Sequence, residues 1–174
     1  MLKPVNFRHT IACLLLAACL PLACAATMQE LESGLLHALQ LKKGTSERTG
    51  TSGKAIEAYV HAGLLGKKPN QRYDYTDYYL LRKPASFLGH ELVLIEEEYI
   101  TQYIGCCVSP GAGVTVKVHG STHKLEQFAH ANRCTLTENV DFAQALREVA
   151  IRNKVPKAHY ASLSCRERDA ERDE

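Results

Sequence analysis

Apolar positions mark four helices in this chain. Met28, Leu31, Leu35 and Leu39 recur at helical spacing with Leu36 beside them, behind a Thr27-x-x-Glu30 capping box and ahead of Gly44. Ile56, Tyr59, Val60, Gly63 and Leu64 fall on one face of a second helix, about Lys54 to Leu65, closed by Gly66. Leu125, Phe128 and Ala129 give a third, capped by Ser121 or Thr122, with Asn132 as a left-handed end. Phe142, Ala145, Leu146, Val149 and Ala150 give a fourth behind an Asp141-x-x-Gln144 cap.

Between the second and third helices the period falls to two. A strand is expected around Tyr75 to Arg82, then a connection over Pro84 to Gly89. Leu92 to Ile95 is a second strand, and Val114, Val116 and Val118 alternate with polar partners as a third. Cys134 to Thr137 reads as a short strand, and His159 to Ser164 as a last, edge strand. Arg166 to Glu174 has no apolar face and reads as a solvated, disordered tail. The order α-α-β-β-β-α-β-α predicts one α+β domain over 26–165, with a small, mainly antiparallel sheet packed against helices.

The N-terminus changes the picture from fold to address. Lys3 and Arg8 precede an uncharged apolar run that ends in small residues, the pattern of a secretory signal peptide over 1–25. The run is broken by Pro21 and falls short of the ~20 residues that a membrane span needs. Ala23-Cys24-Ala25 predicts cleavage before Ala26. Leu16-Ala17-Ala18-Cys19 resembles a bacterial lipobox, which implies a lipid anchor on Cys19 instead. Cleavage before Ala26 leaves four of the seven cysteines, an even number that suits an oxidising compartment. The expectation is a periplasmic or secreted protein, with membrane contact only through an anchored Cys19.

Charge then excludes a class. The formal net charge of +2 rests on Lys3 and Arg8, so the remainder carries 19 basic against 19 acidic residues. Such a domain has no field to hold nucleic acid. The loop Gly44 to Gly53 fails the phosphate-loop pattern, with Arg48 at the first glycine position and Ala55 at the hydroxyl position. It reads as a flexible connection.

Candidate chemistry concentrates between Leu92 and Val118. In a regular strand Leu92, Leu94, Glu96 and Glu98 face one way, and Val93, Ile95, Glu97 and Tyr99 the other. Glu97 then lies among apolar neighbours, where a carboxylate is costly and its pKa rises, a candidate acid/base residue with His119. A strand that ends or bulges at Glu96 instead sends all three glutamates to water. Cys106 and Cys107 are adjacent, a geometry that disfavours a mutual bond, so disulfides to Cys134 and Cys165 are expected: 106–134 with 107–165, or the crossed pair. A zinc site of Cys106, Cys107, Cys134 and His119 has the wrong ligand spacing, and no metal or cofactor is expected. His123 and His130 lie about 10 Å apart along their helix, too far to share an ion. Ser109 lacks a nucleophile-elbow pattern. The tyrosine run offers Tyr75, Tyr78 and Tyr79 as a recognition surface. These residues point to an exported, non-catalytic binding or inhibitor-type module whose partner is another envelope protein or a small ligand. A metal-dependent or acid/base hydrolase using Glu97 and His119 is the alternative.

Overall fold

The computed structural model describes residues 20–98 and 108–171. The chain folds as a single α+β domain around a six-stranded antiparallel sheet of order β1-β2-β3-β4-β6-β5. The strands are β1 (Gln71–Tyr73), β2 (Thr76–Phe87), β3 (His90–Glu98), β4 (Gly111–Lys117), β5 (Thr135–Thr137) and β6 (Tyr160–Arg166). The helices are α1 (Leu20–Leu39), α2 (Ser52–His61), α3 (His123–Ala131), α4 (Phe142–Glu148) and α5 (Glu167–Glu171).

The two sheet faces carry two cores. On one, Leu31, Leu35 and Leu39 of α1, Ile56 and Tyr59 of α2 and Leu125 of α3 bury against Phe87, Ile95, Val114, Val116 and Leu163. Each fully buried side chain of this size contributes roughly 1.5–3 kcal/mol. On the other, Phe142 and Leu146 of α4 join Leu94, Ile151 and Tyr160. The second face is thus apolar beneath α4 and, as shown below, charged toward the far end of the strands.

The helical periods placed these faces well, and the ends of elements less so. Helix α1 begins at Leu20 and runs through Thr27, so the Thr27–Glu30 box does not start it. Helix α2 stops at His61 because Gly63 turns left-handed at φ +71°. Gly63 N–H donates to Val60 O and Leu64 N–H to Tyr59 O, the paired bonds of a Schellman cap. Gly63 is therefore the cap of this helix and not part of its face. At the end of α3 the left-handed residue is Arg133 (φ +46°), and Asn132 instead spends its side chain on Leu41 N and Phe128 O. Helix α4 starts as its box predicts, with Asp141 accepting from Gln144 N at 2.9 Å.

Three strand expectations are corrected. The tyrosine run is a hairpin, not one strand: β1 returns as β2 through Asp74 and Tyr75, both left-handed (φ +45° and +62°). Pro84 to Phe87 belongs to β2, and the connection shrinks to Leu88-Gly89, again both left-handed. β6 lies between β4 and β5, so it is an interior strand. The region read as a disordered tail is ordered as far as Glu171: Arg166 ends β6, and Asp169 and Ala170 of α5 are buried. Residues 172–174 lie outside the described residues.

The loop from Gly44 to Gly53, expected to be flexible, is pinned. Arg48 pairs with Leu41 in a bridge, and its guanidinium donates to Leu39 O, Asn132 O and Arg166 O, joining the ends of α1, α3 and β6. Gly50 packs against the end of α1, where a Cβ would stand 3.0 Å from Ala38 N. Burial lowers the Arg48 pKa, with the Asp169 charge working against that shift.

Candidate functional site

A bulge decides where the glutamates go. In the β3–β4 pairing Leu92 faces Val116 and Leu94 faces Thr115, leaving Val93 without a partner. The extra residue throws Leu92 onto the helix-covered core with Ile95, while Val93 and Leu94 both pack on the α4 side. Leu92 and Leu94 therefore do not share a face as regular alternation predicts. Beyond the bulge the strand is regular through Glu98, so the glutamates alternate and do not all reach water.

Glu96 and Glu98 point to the α4 side, past the end of its apolar patch. The residue that is buried is Glu98, at 5% exposure. Arg166 reaches both: Nη2 lies 2.8 Å from Glu96 Oε2, and Nε 2.8 Å from Glu98 Oε2. The second is an ion-pair contact without hydrogen-bond alignment of the Nε–H. Arg168 Nη1 adds a contact to Glu98 Oε2 at 2.9 Å, and Ser109 N–H donates to Glu98 Oε1. Gly113 lies below: a Cβ there would meet Glu96 Oε2 at 3.3 Å and Leu163 O at 3.2 Å. Asp169 closes the cluster, accepting from Ser164 Oγ, Thr135 Oγ1 and Arg166 N–H. Burial works to raise the Asp169 pKa, but these bonds and the Arg166 charge outweigh it and hold the carboxyl below its ordinary value. Every acid here is already committed to a guanidinium, a hydroxyl or an amide. The arrangement can hold a sheet edge, a loop and α5 together; it offers no uncommitted acid or base.

Glu97 points the other way, to the helix-covered face, and is half-buried. Ser52 Oγ at the start of α2 donates to its Oε1 at 2.7 Å. Neighbouring Asp77, 2% exposed, is gripped by both Nε and Nη2 of Arg72 at 2.6 and 2.7 Å. A groove of 560 Å³ opens beside Glu97, between α2 and Tyr79.

His119 belongs to the opposite end of the sheet. Its Nε2 lies 3.5 Å from Glu91 Oε2, and its N–H donates to His90 Nδ1. Glu91 pairs with Lys117, whereas Glu97 pairs with Ala112. Six residues of strand separate the two registers, about 20 Å. The structure does not bring Glu97 and His119 together. His90 is buried, and burial, with the His119 and Lys124 charges, lowers its pKa.

The cysteine pairing is also corrected. Cys134 bonds Cys165 directly, joining β6 to the turn before β5, so neither is available to Cys106 or Cys107. Those two lie outside the described residues, as do Cys19 and Tyr99. The four-ligand zinc set loses Cys134, and among the described residues no three His, Cys, Asp or Glu side chains cluster as metal ligands.

The tyrosines separate as alternation requires. Tyr79 is buried on the helix side and Tyr78 is half-buried on the other, so Tyr75, Tyr78 and Tyr79 do not form one surface. The exposed pair is Tyr73, which ends β1, and Tyr75, in the hairpin turn, at 52% and 43%. Tyr73 was missed because Asp-Tyr is not a hairpin signal. Arg166 and Asp169 were missed because the charge-rich end of the chain masked them. The signal that finds Arg166 is the alternation Ser162-Ser164-Arg166, which carries the expected strand two residues past Ser164.

Among the described residues no helix is long and apolar enough to cross a membrane. No protein-family model, curated protein or solved structure matches this chain.

Proposed function

We propose that this is an exported, non-catalytic binding module, of interaction or inhibitor type, that meets an envelope protein through the tip of the β1–β2 hairpin. The observation that carries the reading is the exposure of two large aromatics at the hairpin tip, Tyr73 ending β1 and Tyr75 in the two-residue turn. Tyr73 and Tyr75 are the exposed large hydrophobics of the described residues, and Tyr75 holds a left-handed backbone that a bulky residue rarely adopts. Such outliers persist where the surroundings over-determine them and cluster at recognition and active sites. Tyrosine buries a large area on binding at low entropic cost and is enriched in interfaces. The Cys134–Cys165 disulfide is compatible with an oxidising compartment, which supports export.

The hydrolase alternative draws no geometric support, because Glu97 and His119 stand about 20 Å apart along the sheet. The test is site-specific photo-crosslinking in cells, with the reactive side chain at Tyr75 or, as control, at exposed Lys43. A discrete envelope-protein adduct from position 75, absent from 43 and lost when Tyr73→Ser is added, supports the reading. Equal adducts from both positions, or none from 75, defeat it.

A further inference from the structure

The groove beside Glu97 has a shape and charge of its own, independent of the hairpin tip. One wall is α2, where Ile56, Glu57 and Val60 line it; Tyr79 and Lys67 also line it, and Glu97 stands beside the first turn of α2. Its 560 Å³ falls within the range of small-ligand sites. The lining residues of α2 run from Gly53 to His61, about 12 Å along the axis. Glu57 lies 3.5 Å from His61 Nε2, and both residues line the groove.

Glu97 is the group with capacity to spare. An ionised carboxylate offers about four lone-pair sites. Among the described residues its one hydrogen bond comes from Ser52 Oγ, which fixes the carboxylate without neutralising it. Among the carboxylate and ammonium groups of the lining, Glu57 and Glu97 outnumber Lys67. An anion entering here meets two carboxylates; a cation meets a fixed acceptor at the end of an apolar wall. The other concavities differ. In the 240 Å³ cavity over α4 the Lys117 ammonium is already paired with Glu91 at 3.1 Å.

We infer that this groove binds a primary ammonium group carried on an apolar stem, with Glu97 receiving the ammonium and Ile56, Val60 and Tyr79 receiving the stem. A stem of four or five carbons spans about half the groove, so both a free alkylamine and a lysine side chain of a peptide carry the required chemistry.

The probes are n-pentylamine and acetyl-Ala-Lys-Ala-amide, with n-pentanol and the norleucine peptide as uncharged counterparts. Binding is read from the methyl resonances of Ile56 and Val60. Saturable shifts with a charged probe, and at least tenfold weaker ones with its uncharged counterpart, are the expected result. Glu97→Gln should weaken the charged probe at least tenfold with the rest of the spectrum unchanged. Val60→Trp, which leaves Glu97 in place and fills the groove, should do the same. Tighter binding of the lysine peptide than of pentylamine assigns the ammonium to a polypeptide; the reverse order assigns it to a free amine. No shifts with either charged probe, equal affinity for the uncharged counterparts, or unchanged affinity in both variants overturns the inference.

Discussion

Glu97 and Glu98 are neighbours in one strand and have opposite roles. Glu98 is 5% exposed and held by Arg166, Arg168 and the Ser109 amide. Glu97 is half-buried, held among the described residues by one serine, and borders a groove. The difference arises from strand alternation alone: successive side chains leave a strand on opposite faces. One face, past α4, is filled with countercharge from Arg166 and Arg168; the other meets the first turn of α2. Identical residue types thus divide into a structural acid and an available one, and the site is defined by which face has a partner already in place.

The largest test of that division is Arg166→Met. It leaves Glu98 buried without its central partner, and breaking a buried pair costs roughly 3–5 kcal/mol. Urea unfolding should show a midpoint loss of that order, and adding Glu98→Gln should recover part of it. A cost below about 1 kcal/mol would place the network among dispensable surface pairs.

Next in size is the disulfide. Cys134→Ala with Cys165→Ala opens a link across a sequence separation of 31 residues. Chain entropy for a loop of that length predicts a loss of roughly 3–4 kcal/mol. The same midpoint measurement checks it, and reducing agent on the unaltered chain should reproduce much of the loss.

Acid should act through two buried groups, Asp169 beside Arg166 and His90 at the other end of the sheet. The Asp169 carboxyl is held below its ordinary value in the fold, so on acidification the unfolded chain takes up that proton first. Its contribution is complete above the unfolded pKa of about 3.9 and is lost as pH falls through the lower folded value. His90 acts in a higher window. Its folded pKa is lowered by burial, so stability falls as pH drops from about 6.5 toward that lower value. Unfolding free energy measured from pH 8 to about 2 should decline in two steps, the first removed by His90→Gln and the second reduced by Asp169→Asn, with the lowered Glu91 carboxyl accounting for part of the remainder. A flat profile would contradict both assignments.

The smallest effect sits at the hairpin tip. Tyr75→Gly relieves a left-handed backbone that costs an L-residue ~1–2 kcal/mol. Offset by the entropy of the added glycine, it should stabilise the fold by about 0.5–1 kcal/mol while abolishing the Tyr75 contact. A variant that is more stable yet no longer captures the partner through a crosslinker moved to position 73 would separate strain for recognition from strain for folding.

Much of this fold is legible in the sequence, for identifiable reasons. The faces of α1 and α3 follow from their apolar periods, as does that of α4 through Leu146, although α4 ends at Glu148 and Ala150 is exposed and left-handed (φ +60°); those of β4 follow from strict alternation of valines. The β1–β2 hairpin is not legible, because Asp74-Tyr75 lacks the glycine or asparagine that left-handed turns favour. The bulge at Val93 is not legible either: a run of apolar residues reads equally well in register or one residue out. The candidate site follows the same rule. Glu97 stands out as a lone carboxylate behind Ile95, whereas the commitment of Glu96 and Glu98 depends on Arg166, 70 residues downstream of Glu96. No local pattern announces a partner at that distance.

The central claim is that alternation makes Glu98 structural and leaves Glu97 available. Urea unfolding of Glu98→Gln and Glu97→Gln, side by side at neutral pH, tests it most directly. The account predicts a loss of at least about 3 kcal/mol for Glu98→Gln and under about 1 kcal/mol for Glu97→Gln, whose amide oxygen still accepts from Ser52 Oγ and whose shape is unchanged. Equal losses, or a larger loss at Glu97, would contradict it.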